Sequence, residues 1–246
     1  MIKKNYIILL NLKVIFVDLS NLTVLIVGAS SGIGLTLANI LSDYGATVIG
    51  TYNNTRLKNI SFDTYKCDLS KEEDIKKLMN YIKDKYNKLN CLVNCAALCL
   101  DNDLYEKEKK EFMKVLEVNL VGTFLTCKYA SLIMDSGVIV NISSTDASST
   151  YSTFSMDYAA SKAGVEVITK CLAERLPNIK VCAIAPNWVD TDTVLNINQD
   201  YLNMEMKRIG QKELIKKENV AIKIIDIIVN SDIISGDIIR MVSNNE

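Results

Sequence analysis

From residue 23 onward the sequence alternates short, almost wholly apolar runs with longer amphipathic stretches. Short runs rich in valine and isoleucine predict β-strands. Because these runs are apolar at nearly every position, both faces of the strands are expected to be covered, as they are in a parallel sheet. The predicted strands are TVLIVG (23–28), ATVIGTY (46–52), CLVNCAA (91–97), GVIVNIS (137–143) and KVCAIAP (180–186).

The amphipathic stretches between these runs predict helices. Ser70 is the expected N-cap of one helix, because SKEED places a serine just ahead of acidic residues in the first turn. Glu108–Met134 is predicted to be one long helix with a bend or a broken end. Strand–helix alternation implies right-handed crossovers and therefore an α/β fold with a doubly wound parallel sheet, the Rossmann fold. The predicted helices are 34–44, 70–85, 108–134, 157–176 and 219–230.

The length of 246 residues suits one α/β domain, and the chain has two prolines and no internal repeat to mark a boundary. Residues 18–246 are therefore expected to form a single domain. Residues 1–17 begin like a signal peptide, but polar residues interrupt their apolar run and no small-residue cleavage site follows. We expect this segment to be a short strand-forming or poorly ordered extension.

The charge balance and the cysteines narrow the class of protein. Lysine plus arginine number 28 and aspartate plus glutamate 29, so nothing favours nucleic acid or an anionic membrane as partner. No apolar run reaches the roughly 18 residues of a membrane span. Seven cysteines without a CxxC pair predict buried thiols in a reducing, cytoplasmic compartment. Cys91, Cys95 and Cys99 could suggest a metal site, but the chain has no histidine to assist, and we expect no metal.

The first predicted strand runs directly into GASSGIG, residues 28–34. A glycine-rich turn between a strand and a helix points backbone N–H groups and the positive helix end at a pyrophosphate. Gly28 would permit the tight turn, Gly32 would let the phosphates approach, and Gly34 would let helix and strand pack closely. The turn therefore predicts a dinucleotide site.

The end of the second predicted strand bears on which dinucleotide binds. A carboxylate there would hold the ribose hydroxyls of NAD and repel a 2′-phosphate. The chain reads GTYNNTR, with Tyr52 and Asn53 at this place, Arg56 nearby and no acid before Asp63. This favours NADP(H). The neutral Ser31 in the glycine turn is a contrary sign, and NAD(H) stays open.

The sequence YAASK places Tyr158 and Lys162 one helical turn apart, so both side chains can point at one spot. The chain has no histidine, and a free phenol with a pKa near 10 exchanges protons poorly at neutral pH. A neighbouring ammonium is expected to lower the pKa of Tyr158, which could then act as the acid–base group. Ser143 and Ser144 end a predicted strand and are expected to face the same crevice. Without histidine, a serine hydrolase is excluded.

Several motifs occur in an order that resembles the short-chain dehydrogenase/reductase family. The similarity covers about residues 18 to 242 and is closest to the branch that contains 3-oxoacyl-[acyl-carrier-protein] reductases. The motifs are GASSGIG (28–34), NCAA (94–97), VNLVGTF (118–124), NISS (141–144), YAASK (158–162) and IAPNWVDTD (184–192).

The resemblance implies roles for four catalytic residues. Tyr158 would donate the proton in carbonyl reduction, and Lys162 would lower its pKa and hold the nicotinamide ribose. Ser144, rather than Ser143, would orient the substrate oxygen. Asn119 would lie at a helix irregularity and hold a water that links Lys162 to solvent.

The same resemblance implies the cofactor site. Asp68 would contact adenine, Asn94 and Ala96 would lie beside the adenosine ribose, and Val189 and Thr191 would hold the nicotinamide carboxamide. The implied cofactor residues are Gly28, Ser30, Ser31, Gly32, Ile33, Gly34, Tyr52, Asn53, Asp68, Asn94, Ala96, Tyr158, Lys162, Pro186, Val189 and Thr191.

The chain also departs from the family pattern. Val27 stands where a threonine usually precedes the first glycine, and Ala97 and Asn187 replace usual glycines. These changes affect loops that shape the cofactor site. They leave open a second hypothesis, in which the chain is a non-catalytic protein that binds a dinucleotide and reports on redox state.

The resemblance assigns substrate choice to residues 193–217, a lid. An apolar pocket here would suit a 3-oxoacyl thioester or another hydrophobic carbonyl compound, although the same side chains could simply pack the lid helix. The expected partners are a small carbonyl or alcohol substrate and further copies of the chain in a homodimer or homotetramer. The apolar candidates are Tyr151, Phe154, Met156, Trp188, Leu195, Ile197, Tyr201, Met204 and Met206.

Overall fold

The computed structural model describes residues 6–10, 13–17, 19–55 and 57–242. The strands are β1 Tyr6–Leu10, β2 Lys13–Val17, β3 Thr23–Val27, β4 Thr47–Tyr52, β5 Asp63–Lys66, β6 Cys91–Asn94, β7 Gly137–Ile142, β8 Ile179–Pro186 and β9 Ile238–Met241. The helices are α1 Gly32–Asp43, α2 Glu72–Tyr86, α3 Lys109–Leu116, α4 Gly122–Ser131, α5 Met156–Arg175, α6 Asp192–Leu195, α7 Gln199–Arg208 and α8 Lys217–Val229.

The main sheet of the described chain has seven strands in the order β5-β4-β3-β6-β7-β8-β9, and each neighbouring pair is parallel. The chain builds outward from β3 to β5, then returns to pair β6 on the other side of β3. The carboxyl ends of β3 and β6 therefore flank the point where the strand order reverses, which is where open α/β sheets bind ligands. The predicted doubly wound fold is confirmed.

The strands are buried on both faces because helices cover both sides of the sheet. In β3, Val24 and Ile26 face a cluster formed with α1 and α8, whereas Leu25 and Val27 face a second cluster formed with α2 and α4. All four side chains are at most 1% exposed. This two-sided burial explains why the strand runs are continuously apolar rather than alternating.

The long predicted helix is helical throughout but is not uniform. A π-helical turn at Glu117–Val121 lies between α3 and α4, so the predicted irregularity is confirmed, and α4 ends at Ser131 rather than at Met134. The predicted N-cap is wrong. The helix begins at Glu72, and the Ser70 hydroxyl instead donates to Asp68 Oδ1 at 2.7 Å.

The apolar pattern did not predict the two edge strands, β5 and β9. Their residues are partly exposed, as edge positions allow, and DTYK in β5 has no apolar run. The buried-thiol expectation holds in part. The buried cysteines are Cys67, Cys91, Cys127 and Cys182, whereas Cys99 and Cys171 are exposed.

At the beginning of the chain, β1 and β2 pair antiparallel in a two-stranded sheet separate from the main one. The division into an extension over residues 1–17 and a domain over residues 18–246 stays a prediction. Within the described part of the chain, no helix combines the length and apolar character needed to cross a membrane. Nor do three metal-binding side chains come together among these residues.

Candidate active site

A crevice of about 1250 Å³ opens at the carboxyl ends of the strands. It runs from the glycine turn after β3, past the ends of β4 and β6, to the end of β7 and the first turns of α5. Most of the predicted site residues line it. These are Gly28, Ser30, Ser31, Gly32, Ile33, Gly34, Tyr52, Asn53, Asp68, Ala96, Ser144, Tyr158, Lys162, Pro186, Val189 and Thr191.

The glycine turn has the backbone that a phosphate cradle requires. Gly28 has φ +85°, and a Cβ at this position would lie 2.7 Å from the backbone of Ala96. A Cβ on Gly34 would lie 2.1 Å from the Gly28 carbonyl oxygen. The turn therefore admits only glycine at two places, and it leads into the N-terminus of α1, where free N–H groups favour an anion. These residues fit a dinucleotide pyrophosphate.

Sequence reasoning missed a residue that holds this turn in place. The N–H of Gly28 donates to Thr51 Oγ1 at 3.0 Å, and the N–H of Ala29 donates to the Thr51 carbonyl at 2.9 Å. Val27, where the family usually has threonine, offers no hydroxyl. Thr51 on the neighbouring strand offers one, and the only signal for it was a threonine near the end of a predicted strand.

The far end of the crevice is formed by the ends of β4 and β5. Tyr52 and Asn53 line it, and Asp68 is the carboxylate there. Hydrogen bonds from Ser70 lower the pKa of Asp68 despite its partial burial, and Lys71 Nζ lies 3.6 Å from its carboxylate. Arg56, the predicted contributor to NADP(H) preference, lies outside the described residues.

The catalytic candidates meet where β7 ends against α5. The Ser144 side chain accepts a hydrogen bond from the Asp146 N–H at 3.1 Å and lies close enough to Tyr158 to lower the pKa of its phenol. The Ser143 hydroxyl is turned away, toward the Lys162 carbonyl and the Glu166 carboxylate. Of the two serines, Ser144 is the one that influences the Tyr158 phenol.

Lys162 is 2% exposed and reaches under Tyr158. Its Nζ donates to the Ile142 carbonyl at 2.7 Å and lies 5.4 Å from the centre of the tyrosine ring. The amine and the phenol therefore share one helix face, as the spacing predicted.

The expected lowering of the Tyr158 pKa by Lys162 is not found. Burial raises the pKa of Tyr158, and the nearby Cys99, Asp146 and Asp101 raise it further, while the Ser144 hydroxyl opposes them. Desolvation disfavours the charged form of any group, and it is the largest cause of the raised pKa of Tyr158. The phenol consequently keeps its proton throughout the neutral range.

Burial lowers the pKa of Lys162 to about 8, partly opposed by the thiols of Cys95 and Cys99. Between about pH 8 and pH 10.5, the pKa of a lysine in the unfolded chain, the unfolded chain binds a proton that the folded chain has lost. The free energy of unfolding therefore rises with pH. We expect the free energy of unfolding of the cofactor-free protein, relative to Lys162→Met, to rise by about 3 kcal/mol from pH 7.5 to 10.5. Urea unfolding of both proteins across this range measures the difference.

Subtracting the free energy of unfolding of Lys162→Met from that of wild type removes the pH-dependent contributions of the buried thiols and tyrosines, which are common to both proteins. A difference that stays constant with pH would contradict a buried lysine that loses its proton near pH 8.

Asn119 lies in the π-helical turn and is 1% exposed. Its Oδ1 accepts the Leu98 N–H at 2.7 Å, and its Nδ2 donates to the Leu98 carbonyl at 2.8 Å and to Ser161 Oγ at 3.2 Å. The side chain thus fixes the segment after β6 and does not line the crevice. The implied water link to Lys162 stays a prediction.

Asn94, which the resemblance placed beside the adenosine ribose, has its side chain inside the protein. Its Nδ2 donates to Asn141 Oδ1 at 2.9 Å, and its Oδ1 accepts from the Thr126 hydroxyl at 2.8 Å. Asn141 in turn donates to Thr169 at 3.0 Å. This buried network ties β6 and β7 to α4 and α5. Contact between the Asn94 side chain and a cofactor is not supported.

Two of the nine apolar candidates, Trp188 and Ile197, line the crevice, so a substrate pocket formed by all nine stays a prediction. Other candidates pack against one another, which is the alternative that the sequence left open. Phe154, for example, packs edge-on against Tyr201 with ring centres 5.9 Å apart. Around Tyr158 the lining is instead mostly polar, and sequence reasoning missed it. It includes Cys99, Asp101, Asp146, Thr150, Ser152 and Ser155.

The family model described as short chain dehydrogenase matches residues 22–202. Carbonyl reductase family member 4 of Xenopus laevis is 32% identical over 201 residues, which cover 76% of this chain and 84% of that protein. The 3-oxoacyl-[acyl-carrier-protein] reductase FabG of Thermotoga maritima is 31% identical over 212 residues, which cover 80% of this chain and 86% of that protein.

Solved structures share the fold. The ligand-free aldohexose dehydrogenase of Thermoplasma acidophilum matches with a TM-score of 0.83 at 24% identity, covering 93% of this chain and 99% of that one. A dehydrogenase/reductase of Sinorhizobium meliloti matches with a TM-score of 0.83 at 25% identity, covering 91% and 94%.

A doubly wound sheet that brings a phosphate-binding turn and a tyrosine–lysine pair to one crevice has the architecture of a dinucleotide-dependent oxidoreductase. The chain belongs to the short-chain dehydrogenase/reductase family. Members of this family are enzymes that use NAD(P)(H) and act on small molecules, so the chain is an oxidoreductase of this kind.

Proposed function

We propose that the protein reduces a carbonyl compound to an alcohol with NADP(H), and that Tyr158 donates the proton. The observation that carries this proposal is that Ser144 and Tyr158 line one crevice at the end of β7, with Lys162 Nζ 5.4 Å from the centre of the tyrosine ring. When bound, the nicotinamide supplies the hydride for the carbonyl carbon. The protein's own residues then have to hold the carbonyl oxygen and deliver a proton to it.

Ser144 would donate to the substrate oxygen and place it beside the Tyr158 hydroxyl. Hydride arrival turns this oxygen into an alkoxide, which takes the phenolic proton, while the Lys162 ammonium stabilises the phenolate left behind. The raised pKa of Tyr158 favours this direction, because the group carries its proton at neutral pH. Alcohol oxidation needs the phenolate and is expected only at higher pH. Lys162 is also proposed to hold the nicotinamide ribose hydroxyls.

The remaining cofactor contacts follow the order of the crevice. The glycine turn would hold the pyrophosphate, Tyr52 and Asn53 the adenosine ribose, and Asp68 the adenine. Val189 and Thr191 follow Pro186 beyond the end of β8, where the carboxamide is proposed to bind, and a Cβ on Gly32 of the glycine turn would lie 3.1 Å from the Thr191 methyl. This assignment is supported by the single continuous crevice that these residues share.

The NADP(H) preference is supported by the charge of the adenosine end. Asn53 and Asn54 stand where a carboxylate would repel a 2′-phosphate. The adjoining surface hollow is bordered by three lysines and two carboxylates, which are Lys66, Lys71, Lys77, Asp68 and Asp74. We expect NADPH to bind more tightly than NADH. Asn53→Asp is expected to weaken NADPH about tenfold and NADH within threefold, because the new carboxylate repels only the phosphate.

Fluorescence titration of both cofactors against wild type, Asn53→Asp and the control Asn59→Asp measures these affinities. Asn59 is an exposed residue in the same connection that does not line the crevice. Tighter or equal binding of NADH to wild type would reject the preference.

The substrate is best sought with matched carbonyl compounds. The names of the FabG relatives make a 3-oxoacyl thioester one candidate. The polar lining near Tyr158 favours a small carbonyl compound that carries hydrogen-bond donors. Hydroxyacetone and butanone have nearly the same shape, but hydroxyacetone carries a hydroxyl group where butanone carries a methyl group. Rates of NADPH oxidation with these two ketones and with an acetoacetyl thioester therefore separate the candidate substrates.

If the protein binds NADPH yet oxidises it with no member of such a panel, the result supports the hypothesis of a non-catalytic, redox-sensing protein. The intact set of Ser144, Tyr158 and Lys162 argues against that reading.

A homodimer or homotetramer is also proposed. Its support is a set of exposed apolar side chains on α3, α4, α5 and the π-helical turn, which a second copy would cover. They are Met113, Val121, Phe124 and Val167.

A further inference from the structure

The connection between β6 and α3, residues 95–108, forms one wall of the crevice beside Tyr158. We call it the crevice loop. Cys99 and Asp101 line the crevice from this loop, and both are close enough to Tyr158 to raise the pKa of its phenol. The position of the loop therefore decides both the space left for a substrate and the charge around the proton donor.

Hydrogen bonds secure the loop at residues 95–102. The N–H groups of Cys95 and Ala96 donate to the Val27 carbonyl, each at 2.9 Å. Asn119 holds both backbone groups of Leu98, as described above. The Asn102 N–H donates to the Phe154 carbonyl at 3.0 Å, just ahead of α5.

A buried ion pair secures the second half. Lys107 Nζ lies 3.0 Å from Asp157 Oδ2, and the two side chains are 10% and 0% exposed. Lys107 Nζ also donates to the Leu100 carbonyl. The other oxygen of Asp157, Oδ1, accepts the Tyr158 N–H at 3.0 Å. One carboxylate thus connects the crevice loop to the backbone of the proposed proton donor.

Stability alone does not account for such a pair. Removing two charges from water is costly, and a well-packed apolar pair of similar volume stabilises a fold as well or better. Hydrogen-bonded charges, unlike apolar groups, form directional bonds with specific partners. They fix the register of the loop at Leu100 and the first turn of α5 at the same time.

We propose that Lys107 and Asp157 form a positioning pair that fixes the crevice loop against the start of α5 and so sets where a carbonyl substrate meets Tyr158. The catalytic part of this inference rests on the proposed function. Neither residue lines the crevice. Both act through the groups they hold, Leu100 in the loop and the backbone of Tyr158.

The test variant is Lys107→Met/Asp157→Asn, which removes the pair without leaving a lone buried charge. Lys107→Met alone would strand the carboxylate and is expected to be strongly destabilising. In the double variant, amide hydrogens of residues 98–104 are expected to exchange at least tenfold faster by mass spectrometry, because the loop opens locally. We expect kcat to fall about tenfold or more and KM to change less, since a misplaced loop lowers productive alignment.

Three further measurements separate positioning from a general structural role. Lys107→Arg keeps the pair and is expected to retain kcat within threefold. NADPH affinity is expected to be unchanged in the double variant, because the pair holds the loop at Leu100, whereas Ala96, which meets the glycine turn, is held separately by the Val27 carbonyl. Lys223→Met/Asp226→Asn removes the Lys223–Asp226 pair on α8, whose oxygen–nitrogen distance is 2.6 Å, in the same way and should leave loop exchange and kcat unchanged.

Wild-type exchange in the loop of the double variant would overturn the proposal whatever its activity. Faster exchange with unchanged kcat would also overturn it, because the loop would then move without affecting the reaction. If wild type itself reduces no carbonyl compound, the proposed function fails, and the exchange measurement alone decides whether the pair anchors the loop.

Discussion

Tyr158→Phe is expected to lower kcat for carbonyl reduction by about 10³-fold, with the dissociation constant of NADPH changed by less than threefold. The substitution removes the phenolic hydroxyl and keeps the ring, whose centre lies 5.4 Å from Lys162 Nζ. General acid catalysis by a positioned side chain contributes about 10²–10⁴-fold.

The measurement is steady-state NADPH oxidation with the best carbonyl compound of the panel, alongside fluorescence titration of NADPH. Tyr105→Phe is the matched control, because this tyrosine is 93% exposed and does not line the crevice. A Tyr158→Phe enzyme that keeps more than a tenth of wild-type kcat would show that the phenol is not the proton donor.

Gly28→Ala is expected to lower the free energy of unfolding by about 3 kcal/mol or more and to weaken NADPH at least 30-fold. An L-residue at φ +85° costs about 1–2 kcal/mol. The new Cβ would also lie 2.7 Å from the backbone of Ala96, which cannot move without displacing the end of β6. Any adjustment opens the turn in which the pyrophosphate is proposed to bind.

Gly45→Ala provides the matched control for strain. Gly45 has φ +87°, nearly the same as Gly28, but the nearest atom to its new Cβ would be 3.8 Å away, at Ser20. We expect this variant to lose only the conformational cost and to bind NADPH normally. Urea unfolding and NADPH titration of both variants make the comparison, and equal losses for the two would contradict the contact with Ala96.

The sequence predicted the features that depend on local pattern and on motif order. Continuous apolar runs gave the central strands, and the glycine turn and the Tyr158–Lys162 spacing led to residues that do share one crevice. The choice of Ser144 over Ser143 stays a prediction, and the Ser143 hydroxyl donates to the Lys162 carbonyl and the Glu166 carboxylate. The shared crevice has one cause, since a parallel sheet brings the ends of its strands to one edge.

The features that the sequence did not predict are side-chain orientations, which are set when helices and strands pack together. Asn94 carries the expected motif, yet its amide is used between two strands and two helices. The lid residues have helical spacing whichever face they bury, so spacing could not tell that α7 keeps most of them out of the crevice. Lys107 and Asp157 lie 50 positions apart and gave no local sign of pairing.

The π-helical turn at Glu117–Val121 has a consequence for how this chain can change. Such a turn holds one residue more than an α-helix of the same course, and it usually marks a functional position. Losing a single residue there would restore ordinary helix while Val115 before it and Cys127 after it kept their buried faces. Asn119, however, would no longer reach Leu98. A one-residue deletion could therefore remove the role of Asn119 and leave the packing of the helix intact. In this segment, activity and stability can change independently.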